Sequence, residues 1–425
     1  MPTNEPLVAR KLGGHPCFDA DAKHTQGRAH LPVAPACNVQ CNYCNRDYDC
    51  VAESRPGVTS TILQPWQAER YFDEIVEADP SISVAGIAGP GDAQASADAT
   101  LSTHRRIHEK HPETLLCVAT NGLALPQHAD ALAAAGVSHI TVTVNAVDPE
   151  IGKRFYAWIR DGRNIHRGRE AAELLWSRQR EGITRMAALG ILVKVNTIVV
   201  PGLNDQHVGE VAAACLTAGA SIHNCMAMIP VEGSEFAGLA APTAREMTLA
   251  REDSSAYLPQ MEHCSRCRAD AVGRIGEAMS PDRYATLDRH TRLSQSGAER
   301  KLVAVASMEG AFVNQHLGEA DELLIYAVEN GVCNQVDIRR APPTGTGNMR
   351  WEELGDLLSD CIALLVAGIG PSPTRILQAR GLRVLETEGL VANLVPMAAA
   401  GGQIRRLGKP FRCGDGCSGK GQGCA

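Results

Sequence analysis

Three cysteines close to the N-terminus have a spacing that suits iron–sulfur chemistry: Cys37, Cys41 and Cys44 form a C-x3-C-x2-C pattern. Three thiolates at this spacing can ligate three irons of a [4Fe–4S] cluster and leave the fourth iron without a protein ligand. Such an open iron can chelate the amino and carboxylate groups of S-adenosylmethionine (SAM). An electron passed through the cluster then cleaves SAM to methionine and a 5′-deoxyadenosyl radical, so the pattern predicts a radical SAM enzyme.

A zinc site and a ferredoxin-type cluster are the alternative interpretations of these thiols. Zinc usually takes paired C-x2-C ligands, and a ferredoxin needs a fourth cysteine at a characteristic spacing, which Cys50 could supply. The alternation of strand-like and helix-like segments after the motif favours the radical SAM interpretation. On that interpretation the ring of Tyr43 is expected to lie beside the adenine of SAM.

Glycine-rich and polar residues at the ends of later predicted strands are candidates for binding SAM. A glycine allows a ligand to approach the backbone closely, and polar strand ends can reach a carboxylate or a ribose. The candidates are Gly89, Gly91, Asp92, Thr143, Asn145, Val195 and Asn196. Glu53, Arg55 and Asp92 are further candidates for proton handling or SAM positioning. A local salt bridge that orders a loop is the alternative for Glu53 and Arg55.

The chain has 15 cysteines, more than one cluster requires. Clustered thiols in a reducing compartment indicate metal ligands or catalysts, because structural disulfides are disfavoured there. Five of the others are predicted near the same barrel mouth: Cys17, Cys50, Cys117, Cys264 and Cys267. His24 and His30 are possible nitrogen ligands, although a buried structural histidine is the commoner role. Cys215 and Cys361 fall in apolar runs and are predicted to be buried.

The elements that must position these residues alternate between short β-branched runs and helical stretches. Predicted strands are 29–35, 82–88, 114–119, 138–144, 191–198 and 220–228, and predicted helices are 65–78, 98–111, 126–135, 166–189 and 204–218. This alternation indicates parallel βαβ units. Six units predict a partial (βα)6, TIM-like barrel, with the chemistry at the carboxyl ends of its strands. The barrel and its N-terminal cluster-binding extension are predicted to span residues 1–280.

A second, smaller α/β domain is predicted over residues 301–407, where strand-like and helix-like segments alternate again. Residues 281–300 are polar and unpatterned and are predicted to be a linker. Residues 408–425 form a Gly/Cys-rich tail that cannot build a core by itself. The fold class is therefore α/β throughout.

Composition excludes several classes of partner. The net charge is −7 and no long basic run occurs, so nucleic acid is not an expected partner. No apolar stretch approaches the roughly 20 residues of a membrane span. The first residues lack the apolar core of a signal peptide, so we expect a cytoplasmic protein with no membrane association.

The segment HPCFDADAKHTQGRAHLPVAPACNVQCNYCNRDYDCVAESRPGVTS resembles the NifB family, the radical SAM maturases of the nitrogenase cofactor. The resemblance continues through AGIAGPGDA, ATNGL, VNTIVVPGLND, MIPVEGSEF and HCSRCRADAVG, and so covers essentially all of residues 15–280. The second domain resembles the NifX/NafY family of cofactor-precursor carriers, which has a ribonuclease H-like fold. In that domain the resemblance makes His316 a candidate ligand for an iron–sulfur precursor.

The resemblance implies that the protein methylates and fuses two [4Fe–4S] substrate clusters into an eight-iron, carbide-containing precursor. One SAM would donate its methyl group to a cluster sulfide, and a second would yield the radical that abstracts hydrogen from it. Implied partners are iron–sulfur cluster donors, nitrogenase cofactor carriers or scaffolds, and an electron donor such as ferredoxin.

The resemblance also implies ligands for the two substrate clusters. Cys50 and Cys117, with either His24 or His30, would hold one cluster. Cys17, Cys264 and Cys267 would hold the other. Two alternatives to this function remain open: a non-catalytic iron–sulfur scaffold or carrier, and a radical SAM enzyme that acts on a peptide.

Overall fold

The computed structural model describes residues 14–45, 61–261, 269–277, 280–291, 293, 300–329, 331–344, 347–402 and 404. The chain forms two compact units, Met1–Leu287 and Asp288–Ala425. Each unit is described here by itself. None of the helices in the described part of the chain is long and apolar enough to cross a membrane.

The first unit is built on a sheet of parallel strands. Its described strands are β1 (Gly27–His30), β2 (Val39–Cys41), β3 (Ile82–Ile87), β4 (Leu115–Thr120), β5 (Val137–Thr143), β6 (Tyr156–Asp161), β7 (Asn164–His166), β8 (Leu192–Val199), β9 (Ile222–Ala227) and β10 (Val272–Gly273). The main sheet has the order β10-β1-β3-β4-β5-β8-β9. Six of these strands run parallel, and only the short β10 is antiparallel to its neighbour, β1. The predicted partial barrel with six βα units is confirmed.

Helices follow the parallel strands and cover the outer face of the sheet. They are α1 (Pro65–Ala78), α2 (Ala97–Lys110), α3 (Leu125–Ala134), α4 (Pro149–Gly152), α5 (Gly168–Ala188), α6 (Val208–Ala218), α7 (Ala244–Ser255) and α8 (Pro281–Thr291), with a 3-10 turn at Ala22–His24. Local sequence signals fix several ends. Helix α1 begins with a proline and a Gln64–Gln67 capping box, and α6 is capped after Ala218 by Gly219, whose φ of +108° favours glycine.

The main core lies between these helices and the sheet, as strand β8 illustrates. Val193 and Val195 are fully buried in the core on the helix side. Because side chains alternate along a strand, Lys194 and Asn196 point to the opposite face, toward the interior of the barrel. Burying apolar residues on one face therefore directs polar residues into the barrel.

A second, three-stranded sheet in the order β2-β6-β7 supports the segment that carries the three cysteines. Strand β2 pairs with β6 through Val39 and Ile159, and both side chains belong to one buried cluster with Tyr43. The sequence did not predict the β6–β7 hairpin, which is an insertion between two regular βα units.

The stretch after α7 has described residues at both edges of the main sheet. Gln260 forms a bridge with His223 of the last parallel strand, β9. Val272, in β10, pairs with Ala29 of the first strand, β1. The described parts of this stretch therefore contact both edges of the partial barrel.

Two local predictions are corrected. Strand β1 ends at His30 and does not continue to residue 35, because Pro32 and Pro35 lack the amide donor that a central strand needs. The first part of the predicted linker forms helix α8, whose Leu287 and His290 side chains are buried. By contrast, the predicted burial of Cys215 and Cys361 is confirmed.

The second unit is the predicted smaller α/β domain. Its described elements are β11 (Leu302–Val305), β12 (Phe312–Val313), a 3-10 turn (Leu317–Glu319), β13 (Glu322–Glu329), β14 (Val332–Arg340), α9 (Asn348–Leu357), β15 (Cys361–Val366), α10 (Pro371–Ala379), β16 (Arg383–Glu386), β17 (Gly389–Leu390) and α11 (Val391–Ala399). A mixed sheet of order β14-β13-β11-β15-β16 forms its centre. Separate hydrophobic clusters pack on the two faces of this sheet.

Candidate active site

The three signature cysteines line one cavity at the carboxyl ends of β3, β4 and β5. We name it the cluster cavity. Its other lining residues come from the cysteine segment, from the loops after those strands and from neighbouring elements: Val39, Tyr43, Ala88, Pro90, Gly91, Asp92, Ala119, Thr120, Asn121, Thr143, Asn145, Tyr156 and Leu175. The structure thus brings together most of the residues predicted to bind SAM.

Gly91 allows the turn after β3 to reach the backbone of the cysteine segment. Its amide donates to the Ala34 carbonyl at 2.6 Å, and the next amide, of Asp92, donates to the Ala36 carbonyl at 2.7 Å. A Cβ atom on Gly91 would lie 2.2 Å from the Ala36 oxygen. The glycine predicted to admit SAM therefore also admits the segment that carries the cysteines.

Asp92 is the hydrogen-bonding centre of the loops after β3 and β4. Its carboxylate accepts from the Thr120 hydroxyl at 3.0 and 3.1 Å and from the Asn121 amide at 2.6 Å. It also accepts from the amides of Gln94 and Ala95. Burial raises the pKa of Asp92, and the hydrogen bonds from Asn121 and Thr120 oppose that shift. This geometry makes Asp92 an organiser of two cavity-lining loops.

Asn145 links Tyr43 to the barrel. Its side-chain amide donates to the hydroxyl of Tyr43 at 3.1 Å and to that of Tyr156 at 3.4 Å. Its side-chain oxygen accepts from the amide of Ile198 at 3.0 Å. Tyr43 is almost fully buried, so this network fixes the residue between the second and third signature cysteines.

The donor set of the cluster cavity suits a [4Fe–4S] cluster. Cys37, Cys41 and Cys44 all line the cavity. Burial, and then the neighbouring Cys44, raises the pKa of the Cys41 thiol, an effect that bound iron reverses. Among the described residues, no three His, Cys, Asp or Glu side chains are grouped as for a single metal ion. In a four-iron cluster each thiolate binds a different iron.

A second cavity lies deeper in the barrel, and we name it the inner cavity. It is lined by two of the spare cysteines, two histidines and a lysine: Cys17, Cys117, His15, His30 and Lys194. The rest of its wall is Phe18, Ile87, Ala88, Val118, Ala119, Thr141, Asn196, Asn224, Met226, Met261 and Ile275. Soft iron ligands and basic groups therefore face the same space.

Sheet register explains how His30 and Cys117 come together. His30 pairs with Gly86, Gly86 with Cys117, and Cys117 with His139, so the four residues form a row across β1, β3, β4 and β5. A Cβ atom on Gly86 would lie 2.9 Å from both the Cys117 Sγ and the His30 Cδ2. The absent side chain of Gly86 thus lets the cysteine and the histidine approach each other.

The structure separates the two histidine candidates. His30 is buried and lines the inner cavity. His24 is exposed on the Ala22–His24 turn and lines neither of the two cavities. The sequence could not separate them, because the burial of His30 depends on pairing between β1 and β3.

Ala88 and Ala119 belong to the walls of both cavities. Ala88 follows β3 and Ala119 lies in β4, two residues beyond Cys117. With no side chain larger than a methyl group at either position, the cluster cavity and the inner cavity adjoin.

Three residues predicted to contact SAM do not line the cluster cavity. The Val195 side chain is in the core on the helix side. Asn196 lines the inner cavity and its side-chain oxygen accepts from Asn224 at 3.1 Å. Gly89, with a φ of +149°, shapes the turn beside Ala269 and is not part of either cavity wall.

Sequence reasoning missed two basic residues of the inner cavity, His15 and Lys194. Lys194 is buried, with its Nζ 3.8 Å from the Met261 sulfur and 5.2 Å from the centre of the Phe18 ring. Burial, and then the nearby His139 and Lys194, hold the pKa of His15 well below its ordinary value. A lysine between valines in a buried strand was the available sequence signal, because such a side chain is costly to bury without a purpose.

Five predicted residues lie outside the described residues: Cys50, Glu53, Arg55, Cys264 and Cys267. The residues that flank the last two are described. Met261 lines the inner cavity, and Ala269 is buried beside Gly89. His316, in the second unit, is half-buried and its Nδ1 accepts from the Gly318 amide at 3.0 Å.

Comparison with known proteins assigns both units. Residues 31–215 match the Radical SAM superfamily, and residues 299–401 match the family described as dinitrogenase iron-molybdenum cofactor. Among solved structures, Streptococcus suis SuiB matches 60% of this chain and 53% of its own length, with 13% identity and a TM-score of 0.40.

Curated relatives match nearly the whole chain. The FeMo cofactor biosynthesis protein NifB of Chlorobaculum tepidum is 46% identical over 97% of this chain and 99% of its own length. The NifB of Klebsiella pneumoniae is 40% identical over 89% of this chain and 88% of its own length. The radical SAM cysteines, the partial barrel and this similarity agree, and the chain belongs to the NifB family of radical SAM enzymes in FeMo cofactor biosynthesis.

Proposed function

We propose that this protein methylates and fuses two [4Fe–4S] substrate clusters into the eight-iron, carbide-containing precursor of the nitrogenase cofactor. The observation that carries the proposal is the shared wall of the two cavities. The cluster cavity offers three thiols for the resident cluster, and the inner cavity offers cysteine and histidine ligands for substrate iron. Of the residues that the structure describes, Ala88 and Ala119 alone line both cavities, so reagent and substrate would be held side by side.

The resident cluster with SAM supplies a methyl group and a 5′-deoxyadenosyl radical when bound. Cys37, Cys41 and Cys44 would hold that cluster. Asp92 keeps the loops that carry Thr120 and Asn121 in place around SAM, and Asn145 holds Tyr43. Because Asp92, Tyr43 and Asn145 are buried, they exclude water from the place where a reactive radical would form.

We assign the substrate ligands as two sets. Cys117 and His30 would hold one substrate cluster together with Cys50. Cys17 would hold the other together with Cys264 and Cys267. Cys17, Cys117 and His30 line the same cavity, as fusion of two neighbouring clusters requires. A histidine is the more readily released ligand, because its imidazole can be protonated, and release of the product needs such a ligand.

Partners follow from the same chemistry. Cluster donors would load the inner cavity, and a reduced ferredoxin-type protein would supply the electron. Carrier proteins would accept the product. The second unit is proposed to take part in that transfer, with His316 as a provisional ligand in the matched cofactor family region.

Cys117→Ala and Ala119→Leu test the proposal with different expected results. The wild-type chain, reconstituted anaerobically, should hold about twelve irons, as expected of three four-iron clusters. Cys117→Ala should lose up to about four of them and still cleave SAM. Ala119→Leu should keep its iron and cleave SAM, but yield no precursor able to activate cofactor-free nitrogenase, because the larger side chain separates the cavities.

The control is Cys333→Ala, which removes a partly exposed thiol of the second unit and should leave all three measurements unchanged. Full precursor formation by Cys117→Ala would contradict the proposed ligand set. Iron binding without SAM cleavage by the wild type would favour the scaffold or carrier. Cleavage coupled to a modified peptide would favour the peptide-acting enzyme.

A further inference from the structure

His15 is a buried histidine whose role the proposed ligand sets do not explain. It is 1% exposed, lines the inner cavity and lies two residues before Cys17. Its ring packs against His139 at 4.5 Å and against Phe18 at 4.8 Å, measured between ring centroids. His139 belongs to the row that contains His30 and Cys117, so His15 packs against the row that bears the proposed ligands.

One hydrogen bond determines which nitrogen of His15 carries the proton. The backbone amide of Cys17 donates to the Nδ1 of His15 at 3.1 Å. A nitrogen that accepts a hydrogen bond has no proton, so the neutral ring carries its proton on Nε2. That Nε2 is buried and has no hydrogen-bond partner among the described residues. Leaving a buried N–H unsatisfied is energetically costly, so such a group is normally explained by a partner that binds.

We propose that the Nε2–H of His15 donates a hydrogen bond to a sulfur atom of the iron–sulfur substrate in the inner cavity, and that His15 is not an iron ligand. This inference rests on the proposed function, because it requires an iron–sulfur substrate in that cavity. An iron ligand needs an unprotonated nitrogen directed at the metal. In His15 the unprotonated nitrogen is already bound to the Cys17 amide.

The expected role of His15 is to position the substrate cluster and to shift its reduction potential. Hydrogen bonds to cluster sulfur shift the reduction potential of a cluster, because they stabilise the more negative, reduced state. The same Cys17–His15 hydrogen bond joins the donor to the backbone of a proposed cluster ligand. A shift of Cys17 would therefore shift His15 as well. The Nε2–H of His15 would then stay aligned with the sulfur of the cluster that Cys17 binds.

The test compares His15→Phe with His15→Gln in the full-length, anaerobically reconstituted chain. Phenylalanine keeps the ring and removes both nitrogens, whereas glutamine can restore a donor near the position of Nε2. We expect His15→Phe to show a lower reduction potential for a substrate cluster and to release that cluster's iron to a chelator about ten- to a hundredfold more readily. His15→Gln should recover most of both changes.

Pulsed EPR of the wild type and of His15→Phe, both labelled with ¹⁵N-histidine, provides a second readout. A hydrogen bond predicts a weakly coupled, exchangeable proton at a substrate cluster that disappears in His15→Phe. Loss of a strongly coupled nitrogen in His15→Phe would show direct ligation of iron and overturn the proposal. Unchanged potential and iron retention in His15→Phe would overturn it too. If Cys117→Ala keeps all its iron and its precursor formation, the proposed function fails instead, so the two failures are distinct.

Discussion

Residues without a long side chain determine how closely the parts of this site approach each other. Gly91 lets a turn contact the cysteine segment, and Gly86 lets His30 approach Cys117. Ala88 and Ala119 form the wall common to the two cavities. The geometry of the site therefore depends on the positions of small residues as much as on the positions of the metal ligands.

His104 permits a test of stability at the same scale. It is fully buried in α2, neither ring nitrogen has a partner in the described structure, and burial lowers its pKa to about 3. His104 takes up a proton near pH 6.5 in the unfolded chain but not in the folded chain. The free energy of unfolding is therefore higher above that pH and decreases as the pH falls. Between pH 7.5 and pH 5.5, we expect the free energy of unfolding to fall by about 1.4 kcal/mol more in the wild type than in His104→Leu.

Urea unfolding of the iron-free chain at several pH values measures this difference. His108→Gln is the control, because His108 lies on the same helix but is exposed, and its pH dependence should match the wild type. Equal acid sensitivity in His104→Leu and the wild type would show that His104 takes up its proton in the folded state.

The signature cysteines were predictable from sequence because their geometry is local. Cys37, Cys41 and Cys44 occupy one short segment, so spacing alone indicates a shared cavity. The choice between His24 and His30 was not predictable, since it depends on strand register. His15 was missed for the same reason: its position beside His139 joins residues far apart in the chain.

At the scale of elements, the β6–β7 hairpin supports the signature cysteines. Strand β2, which ends at Cys41, pairs with β6, and Val39, Tyr43 and Ile159 pack in one buried cluster. The hairpin therefore gives the cysteine segment a backbone partner and an apolar base.

Ile159→Ala should weaken the resident cluster without removing a ligand. Truncating a fully buried isoleucine typically costs about 2–5 kcal/mol, and here the lost packing lies directly under the cysteine segment. We expect faster release of iron from the SAM-binding cluster and a proportional loss of SAM cleavage. Transfer of iron to a chelator measures the rate of release. Ile165→Ala, at a position of the same hairpin that is 48% exposed, should behave as the wild type, and equal release from both variants would contradict the assigned role.

Regular βα units were predictable where amphipathic periodicity was clear. Helix α1 begins and ends at the predicted residues 65 and 78. The hairpin was missed because its short strands are partly exposed and carry charged residues. Helix α8 was missed because only a few of its side chains are buried, which weakens the pattern that identifies a helix.

At the scale of the whole molecule, the candidate active site belongs to the first unit. Among the described residues, those that line the two cavities all belong to the first unit. A chain that ends after α8, at residue 293, should therefore cleave SAM within about a factor of two of the full-length rate, as expected of a domain with its own core. Formation of 5′-deoxyadenosine under reducing conditions measures the rate. A folded 1–293 chain that cannot cleave SAM would assign part of the active site to the second unit.

In the stretch 260–272, Gln260 forms a bridge with the last parallel strand and Val272 pairs with the first. On the proposed ligand assignment, this stretch carries two ligands of a substrate cluster. Cluster binding would then be thermodynamically linked to the contacts of this stretch with the two sheet edges. A ligand that binds only the form in which these contacts are made stabilises that form by mass action. Unprotected sheet edges are templates for aggregation. Iron shortage would consequently reduce not only the output of this enzyme but also its solubility, so that the cell's supply of clusters would limit how much of the protein persists.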